Sequence, residues 1–151
     1  LPLLITEIFD CSLKDIPAII LLGHSKTVAR HLWFQNLKQF KTNYISTPNF
    51  TIVKRHNANY CGTVGYLVNA PAVKILKQQK FLTHIADDWT HVHKLGIDVL
   101  HVSEPLVYEN FQTKESSTGN QVFTHHNPFS KNWAREWGSA IKAQLYRVLS
   151  C

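Results

Sequence analysis

The sequence predicts an α/β layered fold, and three observations predict it. Dense apolar runs, Ile16 to Leu22 and Ile97 to Val102, sit between segments whose apolar residues recur at helical steps. Asn, Pro and Gly punctuation separates the two kinds of segment, as at Asn69-Ala70-Pro71 and Gly96. The composition, 44% hydrophobic and 17% charged over 151 residues, supplies one full core and excludes a disordered chain.

Taken in order, Leu4, Ile5, Ile8, Phe9 and Leu13 fall at helix-like spacing. The run Ile16 to Leu22 that follows reads as a buried strand ending at Gly23, with Pro17 near its start, where a strand tolerates it. From His24 to Phe50 no period is clean, and an irregular connection is expected, followed by a short β-prone run at Thr51 to Lys54. Tyr60 to Val68 is aromatic and β-branched and reads as a strand containing Gly62 and Gly65. Asn69 followed by Ala70-Pro71 is a helix start, and Val73, Ile75 and Leu76 continue a helix of about ten residues. Ile85 to Leu95 reads as a second helix, with Asp87 and Asp88 in a first turn that favours negative charge and Gly96 as its stop. Ile97 to Val102 is a strand closed by Ser103-Glu104-Pro105, and Glu109 to Lys131 is a polar, turn-rich loop. Trp133, Trp137, Ile141, Leu145 and Val148 then recur at three- and four-residue steps, with Arg135, Lys142 and Arg147 elsewhere on the turn, as in a basic amphipathic helix.

Sixteen Lys and Arg against ten Asp and Glu give a net charge of +6, which suits an anionic partner or simply a soluble basic surface. Cys11, Cys61 and Cys151 are odd in number and far apart, so neither a disulfide framework nor a zinc site is indicated and a reducing compartment is expected. No apolar run approaches the roughly eighteen residues that cross a bilayer, and Leu1 to Ile5 is too short and uncharged for a signal peptide. The chain has no Met and opens abruptly on an apolar run, so a piece of a longer protein is expected.

Few constellations carry chemistry. Asp87-Asp88 offers two carboxylates for a general base, for sugar hydroxyls or for a divalent cation, but from local sequence alone a plain helix cap by Asp87 or Asp88 is the favoured explanation. Gly62-Thr63-Val64-Gly65-Tyr66 would let backbone approach a ligand, though its spacing is neither GxGxxG nor a phosphate loop, and a tightly packed strand is the alternative. His91 and His93, two apart, point to different sides of a helix. Gly23-His24-Ser25 is no nucleophile elbow, and no nucleic-acid motif accompanies the basic residues, so nucleic acid is not an expected partner.

The order of the pieces is more telling than any one of them. A strand ending in Leu21-Leu22-Gly23, the segment Gly62-Thr63-Val64-Gly65-Tyr66-Leu67-Val68, Ile85-Ala86-Asp87-Asp88-Trp89 and finally Val99 to Val107 with Glu104-Pro105-Leu106-Val107 resemble glycosyltransferase family twenty-five, the lipooligosaccharide and collagen galactosyltransferases. The resemblance covers about residues 1 to 117. Ile85-Ala86-Asp87 stands where that family has Pro-Val-Asp, and Asn69 where Ser is common. The family's Leu-Glu-Asp-Asp segment, which binds metal and nucleotide diphosphate, would precede Leu1.

The resemblance implies a GT-A-like, Rossmann-like domain without its N-terminal nucleotide-binding part over 1–117, and a loop plus basic helix over 118–151. It implies transfer of galactose or glucose from a UDP-sugar to a lipooligosaccharide or lipopolysaccharide acceptor, with Mn²⁺ or a similar cation on the diphosphate and metal ligands left open. Asp87 is then the expected catalytic carboxylate, assisted by Asp88. Gly62, Thr63 and Gly65 would border the sugar, and Tyr66 and Trp89 would face it. The expected place is cytoplasmic, peripheral on the inner membrane, where the basic helix meets anionic lipid unless Trp133 and Trp137 pack into the core. Two other readings stay open: a catalytically silent glycan-binding domain, and a basic nucleic-acid or lipid-binding module.

Overall fold

The computed structural model describes residues 1–10, 12–23, 32–37, 41–55, 65–79, 88–108, 129 and 133–149. The chain divides into two compact units, 1–24 with 41–107 and 25–40 with 108–151. The first unit is a mixed α/β layer structure, as expected, around a five-stranded sheet.

The N-terminal helix starts as α1 (Pro2–Leu4) and continues as a π-helical stretch, Ile5–Asp10. The wide turn closes with the Ile8 carbonyl accepting from both Ser12 N at 3.0 Å and Leu13 N at 2.8 Å. Strands β1 (Ala18–Leu21), β2 (Lys41–Ser46), β3 (Thr51–Arg55), β4 (Tyr66–Val68) and β5 (Asp98–Val102) lie in the order β2-β3-β5-β1-β4. β1 and β5 are parallel; the other pairs are antiparallel.

Each face of the sheet carries its own core. Alternate residues of β1 point to opposite sides, so Ala18, Ile20 and Leu22 meet Leu4, Ile8, Phe9 and Leu13 of the N-terminal segment, together with Ile52, Leu100 and Val102. Ile19 and Leu21 meet Val99, Ile97, Ala72 of α3 (Ala70–Lys77) and Trp89 and Val92 of α4 (Trp89–Lys94). This double covering explains why β1 is buried at every position and reads as an unbroken apolar run.

Asn69 starts α3 as its composition predicts, and it does more. Its Oδ1 accepts from Ala72 N at 3.1 Å, capping the helix, and from Ala18 N at 3.0 Å. Its Nδ2 donates to the Leu13 carbonyl at 2.8 Å and the Ile16 carbonyl at 2.6 Å. α4 ends at Gly96, whose φ of +82° lies in the left-handed region that stops a helix.

Two elements correct the irregular connection expected from His24 to Phe50: α2 (Leu32–Leu37), which belongs to the second unit, and β2. β2 is mostly exposed, and a register shift between Asn43 and Ile45 breaks its alternation, so no two-residue period survives in the sequence. The shift leaves Tyr44 beside Asp98: its hydroxyl donates to Asp98 Oδ2 at 3.1 Å, and Lys54 Nζ reaches Asp98 Oδ1 at 2.9 Å. Partial burial, then the Asp98 charge and this hydrogen bond, push the Tyr44 phenol above its ordinary pKa, against the opposing pull of Lys54.

In the second unit α5 (Trp133–Leu149) packs on α2 through Trp137, whose ring lies 5.0 Å from Phe34 and 6.3 Å from Trp33. Gln144 Nε2 caps the end of α2 by donating to the Leu37 carbonyl at 2.8 Å. Most of the loop expected over Glu109 to Lys131 lies outside the described residues.

Two measurements test this account. Asn69→Ala is expected to destabilise the protein by about 3 kcal/mol in urea unfolding, since it removes a cap and strands the buried Leu13 carbonyl and Ala18 N–H. Asn69→Asp should be no better, because it replaces the donors with acceptors. For Tyr44 the folded-state pKa is raised, so its contribution is present below 10.0 and lost as pH rises through the folded value. Urea unfolding is therefore expected to weaken more steeply above pH 10 in the parent than in Tyr44→Phe.

Candidate functional site

Because β1 and β5 are parallel, their carboxyl ends share one edge of the sheet, the usual place for ligands in α/β folds. β4 runs antiparallel to β1, which brings its first residues, Gly65 and Tyr66, to that same edge. α4 returns against β5 into its amino end, so the start of α4, Asp88 and Trp89, also comes to this edge. The Tyr66 and Trp89 rings meet edge to face with centroids 5.2 Å apart.

The edge is sewn together by main-chain bonds. Leu22 N donates to the Gly65 carbonyl at 2.9 Å, and the Leu22 carbonyl accepts from Leu106 N at 2.8 Å and Val107 N at 3.3 Å. Gly65 is needed for this close approach. A Cβ there would come within 3.3 Å of Val107 Cγ2, so the neighbouring segment would have to give way.

The predicted site residues that are described take distinct places. Tyr66 is 45% exposed and offers an aromatic face. Trp89, expected to face sugar, is 2% exposed and instead forms the floor on which Tyr66 rests. Asp88 Oδ1 accepts from His91 N at 3.0 Å and caps α4, the structural alternative its position allowed. Gly62, Thr63 and Asp87 lie outside the described residues. Among the described residues no group of three or more His, Cys, Asp or Glu side chains is placed to hold a metal ion. Among the described residues no helix is long and apolar enough to cross a membrane.

Sequence reasoning missed His101. It is paired with Leu21 on one side and Val53 on the other, and Leu21 is paired with Tyr66, so one cross-strand row runs Tyr66, Leu21, His101, Val53. His101 is buried, one residue from the carboxyl end of β5. An imidazole inside the otherwise apolar run Val99 to Val102 was the available signal. On the next row of the same face Lys41 is paired with Arg55 across β2 and β3. Burial first, then the Arg55 charge, lowers the Lys41 pKa.

The chain matches no protein-family model, no curated protein and no solved structure.

The three aromatic and acidic positions are expected to separate cleanly in urea unfolding. Trp89→Ala removes a buried ring and should cost about 3–5 kcal/mol. Asp88→Ala should cost about 1 kcal/mol through the lost cap. Tyr66→Ala should cost no more than about 1 kcal/mol, the scale of one aromatic pair at a half-open position.

Proposed function

We propose that this chain is a hexosyltransferase, acting with a UDP-galactose or UDP-glucose donor on a lipooligosaccharide or lipopolysaccharide acceptor. The observation that carries the reading is the convergence of Gly65, Tyr66, Asp88 and Trp89 at the carboxyl edge of β1 and β5, although they come from segments separated in sequence. An exposed aromatic ring held rigidly over a buried one is the kind of platform on which a sugar's C–H face stacks. The motif order shared with family-twenty-five galactosyltransferases supplies the reaction class, with Asp87 as the base that takes the acceptor hydroxyl's proton.

A second reading has a specific observation in its favour. The Asp88 carboxylate is engaged in capping α4, which suits a domain that binds glycan without transferring it. Calorimetric titration with UDP-galactose and UDP-glucose in the presence of Mn²⁺ separates the two. The transferase reading expects saturable binding, weakened about tenfold by Tyr66→Ala, the scale of one lost stacking contact. Binding of acceptor oligosaccharide with no heat from either nucleotide sugar would sink it in favour of the silent domain. Asp87→Asn is expected to abolish transfer of the hexose to the acceptor oligosaccharide.

A further inference from the structure

Trp137 packs on α2, but the other large apolar side chains described on α5 are not buried against their own unit. The helix's buried residues are the small ones, Ala140 and Ala143. Trp133, Ile141, Leu145 and Val148 stand exposed, the last three at 58%, 57% and 73%. At about 100° per residue these four fall within an arc of about 120°, with Trp137 inside it. Between Leu37, Trp137, Ile141 and Leu145 lies a shallow groove of about 270 Å³.

Charge borders that stripe. Arg135 and Lys142 lie on the helix flank beyond Leu145, and Arg147 lies on the flank beyond Trp133. Glu136 is the helix's single acid against these three cations. A second copy of α5 would bring the same three cations and one acid, a poor electrostatic match. An anionic phospholipid surface matches both parts, taking the apolar stripe among its acyl chains and the cations at its phosphates. With 17 residues and three cations, α5 suits lying along such a surface.

We propose that the exposed stripe of α5 docks this protein on an anionic phospholipid bilayer. The proposal stands on α5 alone and does not rest on the transferase reading. The test is co-sedimentation of the whole chain with vesicles of phosphatidylcholine alone or mixed with phosphatidylglycerol. Binding is expected on the mixed vesicles only and should fall as salt rises. Leu145→Asp and Val148→Asp are each expected to weaken it about tenfold or more, the scale of one apolar side chain withheld from lipid. Arg147→Ala should weaken it about fivefold. Both aspartate variants are at exposed positions, and an unchanged far-ultraviolet circular dichroism spectrum checks that the fold is kept. Failure to bind, equal binding to neutral vesicles, or parent-like binding by both folded aspartate variants overturns the proposal. A concentration-dependent dimer that fails to bind vesicles and that Leu145→Asp dissolves also overturns it, by assigning the stripe to a second copy.

Discussion

The first unit depends on one buried amide. Asn69 spends both of its donors and both acceptor directions of its oxygen on main chain, joining Leu13, Ile16, Ala18 and Ala72. Those atoms belong to the end of the N-terminal helical segment, the lead into β1 and the start of α3. The Asn69 N–H also donates to the Ala18 carbonyl at 3.2 Å, extending the β1–β4 ladder by one residue. With that rung fixed, the register that sets Val68 against Ile19 and Tyr66 against Leu21 follows. A slip of one residue would exchange the two faces of β4. The exposed ring of the candidate site therefore owes its position to a side chain at the opposite end of its own strand.

The site separates support from display. Trp89 and the α4 cap are structural, and their burial and hydrogen bonding leave the Tyr66 ring as the part that faces outward. Such a division suits recognition of a neutral, hydroxyl-rich ligand, where a rigid apolar surface contributes more than another charge. The cations of the same sheet face, Lys41 and Arg55, lie toward its far edge, on β2 and β3.

Much of this was legible from sequence wherever the determining contact is local. The Asn69-Ala70-Pro71 helix start, the Gly96 stop and the buried strands β1 and β5 follow from residues that are neighbours in the chain. β2 was not legible, because its strand character comes from pairing with β3 while its own residues are polar and bulged. Asn69 could be read as a cap but not as a junction, since its other partners are more than fifty residues away. At the candidate site Gly65 and Tyr66 stood out by motif. The inward placement of Trp89 and the row containing His101 required the sheet order, which no periodicity encodes.

The strand order also bears on whether the sheet can be extended by another chain. The three inner strands, β3, β5 and β1, carry Ile52-Val53, Val99-Leu100 and Ile19-Ile20-Leu21, apolar and β-branched stretches of the sort that recruit further chains when an edge is open. Neither outer strand offers such an edge. β4 is only three residues long and runs directly into Asn69 and α3, and β2 presents Lys41, Thr42 and Asn43 before its bulge. A short strand on one side and a polar, kinked one on the other deny an incoming chain a straight row of main-chain donors and acceptors. The polar composition that hid β2 in the sequence is thus the property that lets it terminate the sheet.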